Sequence, residues 1–158
     1  MHITPYCSII GVEKIPAKKN AYVKAALHQE IQQAIEDGYT WFCAGFNEGE
    51  ADLLFVQTVL QHKVNHPDEL ILDALITPNV DMSNMSNSVQ DLLYHCDAIR
   101  FLYEGECTES DLQQNFELLR VSGRIIAVCG DEKTALTMRY ARSLNKEVRP
   151  IRIRNKRV

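Results

Sequence analysis

The segment Cys43-Ala44-Gly45-Phe46-Asn47-Glu48-Gly49-Glu50-Ala51-Asp52 holds two glycines four residues apart, directly ahead of a run with helical spacing. Glycine lets the backbone turn tightly and approach a ligand closely, and the first turn of the following helix offers unpaired N–H groups and a positive dipole end. Gly45, Phe46, Asn47, Gly49 and Glu50 are therefore ligand-binding candidates, with Phe46 as a flat surface for a base or sugar. An apolar side chain there would equally fit beneath its own helix. Glu48, Glu50 and Asp52 oppose a bare phosphate. They suit ribose hydroxyls, a metal or, where partial burial raises a carboxyl pKa, general acid–base work. A second junction, Cys129-Gly130-Asp131-Glu132-Lys133-Thr134, follows the same logic: Asp131 is placed to cap a helix, Lys133 and Thr134 could meet an anion, and all three are ligand-binding candidates. The upstream glycine spacing is not that of a phosphate loop.

Other reactive types are scattered. His62 and His66 are four residues apart, but Asn65 and Pro67 predict a turn there, and no cysteine or carboxylate completes a metal set. His95 and Cys96 are adjacent, and adjacent side chains on a helix or strand do not face each other. No serine stands in a nucleophile elbow. The sequence assigns no catalytic residue, no metal and no cofactor.

The elements that must carry these junctions alternate. Predicted strands are Tyr6 to Ile10 (closed by Gly11), Tyr39 to Ala44, Leu70 to Ile76, Ala98 to Tyr103, Arg124 to Cys129 and Glu147 to Ile153. Predicted helices are Lys18 to Asp37, Glu50 to His62, a short one containing Val89, Leu92 and Leu93, Ser110 to Val121 behind a Thr108/Asp111 cap, and Glu132 to Asn145. Inner strands such as Ile125-Ile126-Ala127-Val128 are continuously apolar, as strands buried on both faces are. The expected fold is α/β: a three-layer, Rossmann-like, mostly parallel doubly wound sheet with helices on both faces, and its working edge at the C-terminal ends of the strands. Residues 1–158 read as one domain with a basic tail from about residue 152.

Composition narrows the partners. Hydrophobic residues are 46%, charged residues 24% and the net charge is −4, so no global field draws the chain to nucleic acid or an anionic membrane. The run from Arg149 to Arg157 reads as a last strand entering a solvated end. No apolar run is long enough to span a bilayer. Five scattered cysteines (Cys7, Cys43, Cys96, Cys107, Cys129), without a C-x-x-C pair, fit a reducing compartment, and the expected location is cytoplasmic.

The order of segments resembles the SLOG superfamily, the Rossmann-like group that includes the lonely-guy and DprA proteins, and within it the YpsA-like branch. The resemblance spans nearly the whole chain and is best in Glu30 to Val59 and Tyr103 to Val148, through Tyr103-Glu104-Gly105, Asn115, Ile125 to Val128 and Tyr140-Ala141-Arg142. It implies a nucleotide-type ligand at Gly11, Gly45, Gly49, Asn115, Lys133 and Thr134. The family's Gly-His-Arg after the first strand stands here as Gly11-Val12-Glu13, and Ala51 falls where an aspartate is expected, flanked by Glu50 and Asp52. Its Arg-Asn pair is Gln114-Asn115, and its Gly-Gly-Thr keeps only Thr134. A divergent member with an altered site is implied. Three function classes stay open: a nucleotide-like ligand-binding or sensing module, an enzyme on a nucleotide or nucleoside derivative, and a partner-binding or homo-oligomeric protein in which Trp41 or Met82 to Met85 form a surface.

Overall fold

A computed structural model describes residues 6–46, 49–76, 82–101 and 118–153. The strands are β1 (Tyr6–Gly11), β2 (Trp41–Gly45), β3 (Ile71–Ile76), β4 (Ala98–Phe101), β5 (Ser122–Cys129) and β6 (Glu147–Arg152). The helices are α1 (Asn20–Glu36), α2 (Glu50–Asn65), α3 (Asn87–Tyr94) and α4 (Glu132–Ser143), and residues 118–121 are also helical. The strands form one sheet in the order β4-β3-β2-β1-β5-β6, and every neighbouring pair is parallel. The chain thus works outward from β1 to β4, returns to the other side of β1, and works outward again. The expected Rossmann-like α/β architecture is what the chain adopts, with "mostly parallel" sharpened to parallel at every pairing.

Helices cover both faces. One core cluster joins Val23, Leu27 and Ile31 of α1 and Phe55 and Val59 of α2 to Ile9, Phe42, Leu72 and Ile126 of the sheet; Val89 and Leu93 of α3 extend it. The other joins Met138 and Ala141 of α4, with Leu118 and Leu119, to Ile10, Cys43, Ile125 and Ala127. The buried stripe Val23, Leu27, Ile31 and Ala34 of α1 follows the spacing that predicted the helix. Its stop is glycine-dependent: Gly38 has φ 101, while Tyr39 N–H reaches back to the Ala34 carbonyl at 2.9 Å.

Two boundaries moved for identifiable reasons. The expected start of α1 at Lys18 lies inside a single 3-10 turn, Ala17–Lys19, that follows Pro16. The turn expected around His62 to His66 begins later, because α2 runs on to Asn65 and leaves the helical region only at His66, the residue before Pro67 (φ −137, ψ 60). His62 is consequently helical and buried, stacked on His28 of α1 with ring centroids 4.4 Å apart. The Thr108/Asp111 cap lies outside the described residues.

Burial, then the neighbouring His28, lowers the pKa of His62 from the usual 6.5. The unfolded chain therefore takes up this proton at a higher pH than the folded one, and folded stability falls as the pH drops below about 6.5. Urea titrations of the wild type and His62→Leu between pH 7 and pH 5 should show a flatter pH dependence in the variant. Equal slopes would place the acid sensitivity elsewhere.

The edge of the sheet at the N-terminal ends of the strands is fastened by charge. Arg124, almost fully buried, donates to Asp37 at 2.7 Å and to Glu147 at 3.1 Å, and its guanidinium lies 5.0 Å from the centre of the Tyr39 ring. The hydrogen bond from Arg124 holds the Asp37 carboxyl below the usual carboxylate range. Arg149 donates to Glu30 at 2.9 Å and to Glu147 at 3.2 Å, so the basic run starts as part of an internal ion-pair network on β6. No helix among the described residues is long and apolar enough to cross a membrane.

Candidate functional site

Because β1 is flanked by β2 on one side and β5 on the other, the chain leaves β1 and β5 in opposite directions along the sheet. Parallel α/β sheets open a crevice at such a point, outside the C-terminal ends of the strands. Here the crevice is a cleft of about 430 Å³. The end of β1 and the loop after it contribute Gly11, Val12, Glu13, Lys14 and Pro16; the β5-to-α4 junction contributes Gly130, Asp131 and Lys133. Ile153, just past β6, closes one side.

Local interactions set both walls. Asp131 caps α4, its Oδ1 accepting from Thr134 N–H at 2.8 Å. Gly130 is held against Ile153: a Cβ at this glycine would lie 2.8 Å from Ile153 Cγ1, so a larger residue would displace that wall. The β1 loop is pinned from α2. Glu50 N–H donates to the Glu13 carbonyl at 2.9 Å, and Glu50 Oε1 accepts from Ile15 N–H.

Of the residues expected to bind ligand, Gly11, Asp131 and Lys133 line the cleft. Thr134 lies beside it, buried, with its N–H given to Asp131. Gly45 ends β2 inside the sheet, paired with Leu75. Phe46 is fully buried in the core with Phe42 and Phe55, which corrects its expected role as a surface for a base or sugar. Gly49 is the N-cap of α2, in an extended conformation at φ −68. Glu50 is committed to the β1 loop and is not among the residues lining the cleft, so its carboxylate acts on loop geometry. Asn47, Glu48 and Asn115 lie outside the described residues. Both junctions stand at the same sheet edge, as expected, but β1 separates them, and among the described residues the β1 and β5 loops make the cleft. Lys14, Pro16, Gly130 and Ile153 were missed; the signal available was that Gly130 and Ile153 directly follow strands and that Lys14 and Pro16 lie in the loop after β1.

Among the described residues, the cleft's ionisable side chains are two carboxylates and two ammonium groups, with buried Val12 and Ile153 as apolar wall. That set can hold hydroxyls, amides and single charges. No histidine lies among its described residues. Burial pushes the thiols of Cys7 and Cys96 up to about 12, which disfavours the nucleophilic thiolate at neutral pH. Tyr6 donates to the buried Asp73, and its hydroxyl is pushed well above the usual range by burial and by that carboxylate. Among the described residues no group of three or more His, Cys, Asp or Glu converges as a metal set. Of the expected partner surface, Trp41 is half-exposed against the edge of Tyr6, while Met85 is buried.

A second cleft of about 490 Å³, lined by Arg120, Tyr140, Leu144 and Lys146, lies near the opposite sheet edge. It lacks the position that parallel sheets reserve for ligands.

No protein-family model matches the chain, and no curated protein matches it in sequence. Among solved structures it is similar to the X-ray structure of TM1055, a structural genomics target, with a TM-score of 0.57 and 16% identity. The match covers 91% of this chain and 72% of that one. At that identity the likeness establishes a shared Rossmann-like fold.

Proposed function

We propose that the protein is a ligand-binding or sensing module for a nucleoside- or nucleotide-type molecule, a divergent relative of the SLOG superfamily. The observation that carries this reading is the cleft of about 430 Å³ between the β1 and β5 loops, at the reversal of strand order. Its size falls within the ~300–1,000 Å³ common for small-molecule sites. The superfamily resemblance at Gly11, which lines the cleft, and at Thr134, beside it, supports the same class. Binding without turnover is favoured over an enzyme because Glu50, one of the three acid–base candidates with Glu48 and Asp52, is bonded to Ile15 N–H.

A thermal-shift screen against nucleosides and nucleotides tests this. A ligand at a hundred times its dissociation constant stabilises the fold by about 2.7 kcal/mol. Pro16→Trp, which places an indole in the cleft from an exposed position, should abolish the shift while leaving the unliganded melting temperature close to wild type. A shift that survives Pro16→Trp would remove the site from this cleft, and no shift with any compound would remove the function.

A further inference from the structure

We infer that the cleft selects against negative charge: Glu13 and Asp131 admit a nucleoside-type ligand and turn away its polyphosphates. This rests on the ligand-binding reading above and names the ligand class within it.

A switch-point cleft that holds phosphates presents free amides and an unopposed positive helix end. Here the helix that opens at the cleft, α4, carries its own anion. Asp131 is the cap, its carboxylate already takes the Thr134 amide at 2.8 Å, and its charge opposes the positive end of the helix dipole. A phosphate at this place would meet a carboxylate and one fewer orphan N–H. Glu13, on the loop after β1, brings a second carboxylate into the same cleft.

Lys14 and Lys133 balance these two charges, so among the described residues the lining is neutral in sum. The chain as a whole carries −4, and no long-range field gathers a polyanion to the opening. A phosphate near Glu13 or Asp131 therefore meets a carboxylate, and the described lining offers no net positive charge to offset it. A sugar diol is matched instead: ionised carboxylates only accept hydrogen bonds, and hydroxyls donate them. The ammonium groups suit carbonyl or ring-nitrogen acceptors of a base, whose faces can lie on Val12, Pro16 and Ile153.

The test is isothermal titration at fixed ionic strength, without divalent cations, using adenosine, guanosine, cytidine, uridine and their 5′-triphosphates. For at least one base the nucleoside should bind about tenfold or more tightly than its own triphosphate. Glu13→Gln and Asp131→Asn should narrow that ratio by several-fold each, and together abolish or invert it. Asparagine also caps helices, so Asp131→Asn keeps the fold, which the unliganded melting temperature reports. A triphosphate that binds wild type more tightly than its nucleoside overturns the charge selection and leaves the binding site standing, provided Pro16→Trp abolishes both. A ratio unchanged in the double variant also overturns it. Silence from all eight compounds overturns the selection and the ligand-binding reading together.

Discussion

Phe55→Ala is expected to lower the free energy of unfolding by about 3–5 kcal/mol, measured by urea denaturation at neutral pH. The ring is fully buried on α2, tilted against Phe42 of β2 with centroids 6.3 Å apart, and it joins the helix to the sheet. Truncation removes its transfer free energy and leaves a cavity beside Phe42 and Phe46, whose fully buried rings have little freedom to collapse. Typical domains hold about 5–15 kcal/mol in all, so this one change consumes a large share. Tyr94→Ala is the control, since Tyr94 is 85% exposed, and it should change stability by no more than about 0.5 kcal/mol. Comparable losses in both variants would contradict the packing described for α2.

The second large effect is expected at Gly11. A Cβ there would lie 2.6 Å from Ala51 Cβ, 3.1 Å from Val128 Cβ and 3.2 Å from the Val128 carbonyl oxygen. None of these is the flexible end of a side chain, so relief requires α2 to move away from β1 and β5. Gly11→Val should cost about 3 kcal/mol, at the upper end of overpacking lesions. Replacing Ala51 by glycine in that background removes the shortest contact and should restore part of the loss, a coupling of about 0.5–3 kcal/mol. Additive single effects would show that the close approach of α2 to β1 is not the cause. Gly11 lines the cleft, so ligand affinity is expected to fall along with stability, whereas Pro16→Trp separates the two.

The sheet was legible because β1 and β2 are closed by glycine, β5 is continuously apolar over Ile125 to Cys129, and the longer helices carry a clear stripe. Asp131 was legible as a cap because a cap is a local device: the aspartate, its helix and the Thr134 amide are adjacent in sequence. Roles that depend on what lies across space were not. Sequence could mark Gly11 as small, but not that Ala51 would occupy the volume a Cβ needs. It could place Phe46 at a loop, but not tell an outward ring from one folded into the core. Glu50 read as an acid at a ligand junction, while its partner, Ile15 N–H, is 35 residues away. Arg124, the buried clamp between Asp37 and Glu147, read as an ordinary charged start of a strand. Strand order decided which two junctions make the cleft, and nothing in a strand's own residues states its neighbours.

The central place of β1 also bears on how the chain is made. One edge of this strand pairs with β2 within a few dozen residues, but the other waits for β5: Ser8 and Ser122, whose hydroxyls meet in the finished sheet, are 114 positions apart. At synthesis rates of about 5–20 residues per second, that edge stays open for on the order of ten seconds on a growing chain. An apolar strand with unpaired backbone is a template for other chains during that interval. The strand at the middle of the native sheet is thus among the longest unprotected on the ribosome. A nascent chain stalled before Cys129 would carry an adhesive edge that the completed protein conceals.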